Sequence, residues 1–165
     1  MSILEDMFKP DIFIDDIYNL DLDMIKSLGI KALIFDIDNT LVTYDDAVAP
    51  EHTIKWFDLL HQQGLKTFLV SNNNQDRVKK FAESLDEPYF AKALKPRKRY
   101  LTEACNMMKV KPENTALVGD QLFTDIYGGK RMKMYTVFVK AISDKEDWFV
   151  HLKRYLERII LKRCI

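Results

Sequence analysis

The chain has few of the side chains that build disulfide frameworks or zinc sites. Its 165 residues include two cysteines, Cys105 and Cys164, which lie far apart and in no metal-ligand spacing. This pattern predicts reduced thiols, as is usual in a cytosolic protein. The three histidines also lack ligand spacing, so we expect ordinary surface or hydrogen-bonded side chains there. They are His52, His61 and His151.

Long apolar runs and a net charge are absent as well. No run reaches the roughly 18 apolar residues that a membrane-spanning helix needs. The segment from Met1 to Pro10 is acidic and lacks the basic and apolar regions of a signal peptide. We therefore expect a cytoplasmic protein, at most peripheral at the inner face of a membrane. The 25 basic and 25 acidic residues cancel, so the overall charge does not favour nucleic acid as a partner.

The composition that remains is that of a globular domain. Apolar residues make up 47% and charged residues 30%, and we predict one domain over residues 1–165. Segments typical of strands and helices alternate, which predicts a Rossmann-like three-layer α/β fold with a parallel sheet and helices on both faces. The predicted strands are 31–36, 65–70, 89–91, 115–118 and 134–139. The predicted helices are 51–63, 75–86, 96–109, 121–131 and an amphipathic segment at 144–163.

Glycines and the N-terminal segment complete the predicted organisation. Gly64 follows one predicted helix and Gly128-Gly129 lies near the end of another, and both patterns predict helix C-caps. Residues 1–30 alternate acidic and apolar side chains. We expect them to pack across the edge of the sheet or to lead into it.

Four polar segments directly follow predicted strands. The most informative one runs from Asp36 through Asp38 to Thr40, after an apolar run at 31–35. Two carboxylates at the end of a buried strand repel each other and lose hydration, unless a cation compensates them. Because the carboxyl ends of parallel strands share one edge, we expect the four segments to converge on one crevice. The other three are Ser71 to Asn74, Lys95 with Pro96, and Gly119 to Asp125.

The residue types in these segments suit phosphoryl transfer. An aspartate can carry a phosphoryl group as a covalent intermediate, and Mg²⁺ prefers carboxylate oxygens together with water and substrate phosphate. A hydroxyl group and backbone N–H groups can hold phosphoryl oxygens, and a lysine can neutralise charge that develops on them. The residues alone therefore predict a site for a phosphorylated substrate and a magnesium ion.

The ordered set of segments resembles the four motifs of the haloacid dehalogenase-like superfamily of aspartyl phosphatases. The resemblance covers roughly residues 31–140 and is specific because all four motifs occur in order. It implies that Asp36 is the nucleophile and that Asp38 is the acid/base. Lys95 would bridge the phosphoryl group and the nucleophile.

The same resemblance implies the remaining ligands of the site. Ser71 and Asn72 would bind the phosphoryl group, and Thr40 would help to orient Asp38. Asp120 would complete the magnesium ligands, and Asp125 would order a metal-bound water or Lys95. The implied metal set is Asp36, Asp38 through its backbone carbonyl, Asp120 and Asp125.

An aspartate at position 38 favours a phosphatase within this superfamily. Only about ten residues, 42–51, separate the first motif from the next helix, and one helix and one strand fill 71–95. We therefore expect a site without a cap domain, which suits a large or surface-bound substrate. The motifs are similar to the small IIIA subclass, which includes YqeG-type phosphatases and phosphatidylglycerophosphate phosphatases. A lipid phosphate is then the expected substrate, with a soluble metabolite or a phosphoprotein as the alternative.

Simpler explanations exist for several of these features. Ser71 to Asn74 can be a turn and helix N-cap, and capping is compatible with phosphate binding. Asp125 can form a local cap or salt bridge. The basic side chains of Lys92, Arg97, Lys98 and Arg99 can attract an anionic substrate or form a solvated face. The segment 144–163 can dock on the sheet or contact a membrane. A fold that only binds a partner is the alternative to an enzyme, although such proteins are expected to lose Asp36 or Asp38.

Overall fold

The computed structural model describes residues 3–143 of the chain. The predicted amphipathic helix at 144–163 lies outside the described residues. Within them, no helix is both long and apolar enough to cross a bilayer.

A six-stranded parallel sheet forms the centre of the fold, in the order β1-β6-β5-β2-β3-β4. All five predicted strands are confirmed, and a short edge strand precedes them. Ile12 of this edge strand lies opposite Val137, so residues 12–14 form the sheet edge themselves, and the residues before them lead into it. The strands are β1 (Ile12–Ile14), β2 (Ala32–Phe35), β3 (Lys66–Val70), β4 (Tyr89–Phe90), β5 (Thr115–Gly119) and β6 (Tyr135–Val139).

Helices cover both faces of the sheet and confirm the predicted three-layer α/β architecture. Two predicted helices differ from the observed ones. The helix predicted at 96–109 begins only at Arg99, because the loop that carries Lys95 extends to that point. The segment predicted at 121–131 is a π-helix followed by a short α-helix. The α-helices are α1 (Ile3–Phe8), α2 (Leu22–Ser27), α3 (Glu51–Gln62), α4 (Gln75–Leu85), α5 (Arg99–Met108) and α6 (Tyr127–Arg131), and the π-helix is Leu122–Ile126.

The glycine predictions had different outcomes. Gly64 follows α3 with φ +79°, a left-handed conformation in which glycine ends a helix without strain. The predicted C-cap at Gly128-Gly129 is wrong, because both residues lie inside α6. A Cβ at Gly129 would lie 2.7 Å from Cγ2 of Thr136. These glycines therefore allow α6 to pack closely on the sheet.

The central strand β2 contributes to both apolar layers, which explains its uninterrupted apolar sequence. Leu33 and Phe35 face the layer that includes Phe57 of α3, whereas Ile34 faces the layer that includes Leu101 of α5. Burial of each large apolar side chain contributes roughly 1.5–3 kcal/mol. The strand end that precedes Asp36 is thus fixed on both faces of the sheet.

No additional domain interrupts this arrangement within the described residues. Only residues 36–50 connect β2 to α3, and α4 and β4 account for most of residues 71–95. The predicted absence of a cap domain agrees with these connections.

Candidate active site

Three carboxylates meet where β2 and β5 end side by side. Phe35 pairs with Val118 in the sheet, and the backbone N–H of Asp36 donates to the Val118 carbonyl at 3.0 Å. This register places Asp36 next to Asp120. Oxygen atoms of Asp36, Asp120 and Asp125 all lie within 4.8 Å of one another, and all three residues are buried.

The π-helix after β5 brings Asp125 back towards the strand end. Its carboxylate accepts a hydrogen bond from the Gln121 backbone N–H at 3.2 Å. It also lies against Gly119, where an added Cβ would be 2.3 Å from the Asp125 Cγ and Oδ2 atoms. A side chain at position 119 therefore has no room while Asp125 keeps this position.

Lys95 joins two of the three carboxylates. Its Nζ donates to Asp36 at 2.8 Å and to Asp125 at 2.7 Å, and the lysine is buried. The Asn72 side chain holds the backbone of Lys95, because its Oδ1 accepts from the Lys95 N–H at 2.7 Å and its Nδ2 donates to the Lys95 carbonyl at 3.2 Å. Leu94, immediately before the lysine, has φ +54°. The loop is thus shaped to direct Lys95 inward.

Burial and charge perturb the acid–base properties of this group. Burial raises the pKa of Asp36 well above its ordinary value; the Lys95 charge opposes the shift, and the charges of Asp125 and Asp120 reinforce it. Burial alone would lower the pKa of Lys95, but the charges of Asp125 and Asp36 outweigh it. The lysine pKa therefore lies above its ordinary value, and the ammonium group stays protonated.

The charge balance indicates that the site can hold a divalent cation. Ionisation of all three carboxyl groups beside the Lys95 ammonium would leave two net negative charges within this buried group. A divalent cation would compensate both, and clustered carboxylate oxygens are suitable ligands for it. The structure thus brings together Asp36, Asp120 and Asp125 of the predicted metal set, whereas the Asp38 carboxylate is not among these clustered oxygens.

The Asp38 carboxylate has partners of its own. Its Oδ1 accepts from Nε and Nη2 of Arg77 at 2.8 and 2.6 Å, and its Oδ2 accepts from Nδ2 of Asn73 at 2.8 Å. Thr40, which was expected to orient Asp38, instead donates its hydroxyl hydrogen to Asp120 at 3.0 Å. The two aspartates of the first motif therefore have different cationic partners, Lys95 for Asp36 and Arg77 for Asp38.

The segment after β3 serves as a turn and a helix cap. Asn74 caps α4 by accepting from the Arg77 backbone N–H at 3.0 Å, as the simpler explanation of this segment predicted. The Ser71 hydroxyl accepts from the Asn73 N–H at 3.1 Å and can still donate its own hydrogen. The predicted phosphoryl contacts of Ser71 and Asn72 stay predictions.

Sequence reasoning missed three residues that shape this site: Arg77, Asn73 and Gly119. One signal for Arg77 was available. A basic residue in the first turn of a helix is unfavourable next to the positive end of the helix dipole, and such a position indicates a specific partner. Asn73 and Gly119 lie within the recognised motifs, but the sequence pattern did not predict a role for either residue.

Comparisons with known proteins agree with this geometry. Residues 42–133 match the family described as haloacid dehalogenase-like hydrolase. The chain is 36% identical to the probable phosphatase YqeG of Bacillus subtilis over 159 residues, which cover 96% of this chain and 92% of that protein. It is also 28% identical to the mitochondrial phosphatidylglycerophosphatase GEP4 of Saccharomyces cerevisiae, over 80% of this chain and 77% of that protein.

A solved structure supports the fold. The cobalt-bound deoxy-D-mannose-octulosonate 8-phosphate phosphatase of Haemophilus influenzae superposes with a TM-score of 0.56 at 16% identity, covering 83% of this chain and 90% of that one. At this identity the likeness concerns the fold alone. Taken with the matched family and the extended similarity to YqeG, it leads to one conclusion. The chain belongs to the haloacid dehalogenase-like hydrolases, and within that family it is a phosphatase.

Proposed function

We propose that this protein hydrolyses phosphate monoesters with Mg²⁺, through a phosphoryl group carried on Asp36. The observation that best supports this proposal is the buried group of Asp36, Asp120, Asp125 and Lys95 at the ends of β2 and β5. Ionising three buried carboxyl groups beside one lysine is costly for a fold, and a divalent cation bound there would offset that cost and attract a phosphate. Asp38 lies two residues away with separate partners, so a second carboxyl group is available for proton transfer.

The reaction would proceed in two displacements. In the first, a carboxylate oxygen of Asp36 attacks phosphorus, and the bond from phosphorus to the ester oxygen breaks as Asp38 gives that oxygen a proton. In the second, water attacks phosphorus and returns a proton to Asp38. Inorganic phosphate leaves and the Asp36 carboxylate is restored.

Other residues of the site would bind and orient the phosphoryl group. Lys95 contacts Asp36 at 2.8 Å, so its ammonium can neutralise oxygen charge beside the nucleophile. Ser71 has a hydroxyl hydrogen to donate. Mg²⁺ bound by Asp36, Asp120, Asp125 and the Asp38 carbonyl would supply positive charge towards the phosphoryl oxygens.

Phosphoenzyme trapping tests the chemistry directly. The protein is incubated with an aryl phosphate and Mg²⁺, quenched in acid, digested and examined by mass spectrometry. We expect one added phosphoryl group on the peptide that contains Asp36, and none when EDTA replaces Mg²⁺. Turnover that is insensitive to EDTA, or phosphate on another residue, would contradict the mechanism.

A lipid phosphate is the substrate class that we propose. The support is the similarity to a yeast phosphatidylglycerophosphatase over 80% of this chain, together with the absence of a cap domain from the described connections. The test compares phosphate release from phosphatidylglycerophosphate in vesicles with release from sugar phosphates and a phosphopeptide. A higher kcat/KM for the vesicles is expected. Preference for the sugar phosphates or the phosphopeptide would replace the lipid by that class.

We also propose a cytoplasmic location with peripheral membrane contact. The support is the pattern at 144–163, where apolar residues recur at helical spacing among several lysines and arginines. Sedimentation with anionic vesicles, compared with neutral ones, tests this contact. Equal recovery in the supernatant with both vesicle types would oppose it.

A further inference from the structure

The Arg77 side chain joins three separate parts of the chain. Besides its two contacts with Asp38, it donates from Nη2 to the Thr43 carbonyl at 2.9 Å and from Nη1 to the Asp46 carbonyl at 2.8 Å. The side chain is only 15% exposed. All three nitrogen atoms of the guanidinium group are therefore engaged, in a planar arrangement that lysine cannot reproduce.

The loop at residues 43–46 is shaped for this contact. The Asp46 carboxylate accepts from the Thr43 N–H at 3.0 Å and from the Thr43 hydroxyl at 2.6 Å, which closes the loop on itself. Both loop groups that Arg77 binds are backbone carbonyls. The loop and the Asp38 carboxylate are thus held by the same guanidinium group.

The two aspartates of the first motif contact different side chains. Lys95 binds Asp36 and Asp125, whereas Arg77 and Asn73 bind the two oxygens of Asp38. Asp38 is itself buried, so without Arg77 its carboxyl group would lose two of the donors that fix its orientation. Arg77 in turn is placed by the Asn74 cap, which receives its backbone N–H.

We propose that Arg77 is the positioning residue for Asp38, and that it sets this carboxyl group for proton transfer to the ester oxygen as the phosphorus–oxygen bond breaks. The proposal rests on the proposed phosphatase function. Arg77 acts through Asp38 and the loop at 43–46. Its loss should therefore slow the proton-dependent step more than it weakens substrate binding.

The test compares two esters that differ in their need for a proton. A p-nitrophenyl ester releases a stable anion without protonation, whereas a primary alkyl ester such as glycerol phosphate needs an acid. General acid catalysis typically contributes about 10²–10⁴-fold. For Arg77→Gln we therefore expect kcat/KM to fall about 100-fold with the alkyl ester and less than about 5-fold with the aryl ester.

Two further variants make the result decisive. Lys79→Gln removes the same charge from an exposed side chain of α4 that pairs with Glu83, and both esters should keep wild-type rates. Arg77→Lys keeps a charge at the site if Arg77→Gln folds poorly, and it should show the same selective loss at smaller size. Thermal unfolding of each variant checks folding.

The outcomes separate the two proposals. Equal loss with both esters, or a higher KM with unchanged kcat, would assign Arg77 a structural or substrate-binding role and overturn the inference. Wild-type protein that with Mg²⁺ releases phosphate neither from these esters nor from phosphatidylglycerophosphate vesicles would overturn the proposed function, and the inference would fall with it. Selective loss with the alkyl ester supports both.

Discussion

Two buried acidic groups differ in their number of carboxyl side chains and in their position along the strands of the sheet. In the first, Asp36 and Asp125 bind Lys95 and Asp120 lies beside them, at the carboxyl ends of β2 and β5. In the second, Glu87 accepts from the Thr67 hydroxyl at 2.6 Å near the start of β3, and His61 Nε2 lies 3.1 Å from its other oxygen.

The difference between them distinguishes a candidate catalytic centre from a structural group. Burial raises the pKa of Glu87, while its contacts with Thr67 and His61 partly oppose the shift. Glu87 is thus a single carboxyl group with a hydroxyl donor and a half-exposed histidine beside it. The first group instead places three carboxyl groups close together beside one lysine. One buried carboxyl group is therefore a weak indicator of function, and a buried cluster of several is a stronger one.

The largest expected effect comes from Asp36→Asn, which sharpens the comparison. Loss of the nucleophile should lower kcat by about 10⁴-fold or more. Because burial raises the pKa of Asp36 well above its ordinary value, an ionised Asp36 destabilises the fold at neutral pH, and the same change should raise the free energy of unfolding in EDTA. Steady-state kinetics and denaturant unfolding measure the two effects. Unchanged turnover, or lower stability in EDTA, would oppose the assignment of the first group as the catalytic centre.

Lys95→Met makes the imbalance of the first group more severe. Without the ammonium group, Asp36 and Asp125 lose their shared partner, and breaking a buried ion pair typically costs about 3–5 kcal/mol. We also expect kcat to fall by about 10²–10³-fold, the usual effect of removing one group that stabilises developing charge. Denaturant unfolding in EDTA and phosphatase assays provide the measurements. Lys79→Met is the surface control and should change neither quantity.

Gly119→Ala tests whether close packing keeps Asp125 in the first group. The added Cβ would meet the Asp125 carboxylate, so this side chain must move away from Lys95, and kcat should fall by about tenfold or more. Gly64→Ala is the matched control, since its Cβ would have no atom within 4 Å and only the positive φ is strained. That variant should lose about 1 kcal/mol of stability and retain its activity. Equal kinetics in both variants would show that Asp125 tolerates displacement.

Glu87→Gln gives the smallest expected effect and concerns the second group alone. The pKa of Glu87 in the folded protein lies above its ordinary value of 4.5. In the pH window between the ordinary and the raised pKa, the folded protein therefore binds more protons than the unfolded chain. The free energy of unfolding contributed by this residue therefore falls as pH rises through that window. The variant should gain up to about 1 kcal/mol relative to wild type above the window, with unchanged kcat. Unfolding curves between pH 4 and about pH 8 measure this; a variant that loses stability relative to wild type as pH rises would contradict it.

Sequence patterns predicted the framework better than its junctions. Continuous apolar strands and alternating helices are local signals, so β2, β3, β5 and β6 could be placed within one or two residues. The start of α5 at Arg99 was missed because the preceding loop is held by Asn72, 23 residues earlier. The π-helix was missed because the 121–131 pattern is also compatible with an ordinary helix.

Residues of the site also differ in whether the local sequence could predict their contacts. Asp36 and Asp120 could be placed together, since both end strands of one parallel sheet. The contact of Thr40 with Asp120 and that of Arg77 with Asp38 span 80 and 39 residues, and no local pattern encodes which partner a side chain will reach. Asp38 accordingly lies with Arg77 and not with the carboxylates that surround Lys95.

The sequence alone determined that this chain forms a parallel α/β sheet with acidic, hydroxyl and lysine side chains at its carboxyl edge, because strand ends are encoded locally by apolar runs. Only the tertiary structure decided which side chains each carboxylate contacts. The register of β2 and β5 places Asp36 beside Asp120, and the π-helix and Gly119 position Asp125 next to them. The position of α4 allows Arg77 to bind Asp38. Coulomb interactions depend on distance in space, and those distances exist only after the layers have packed.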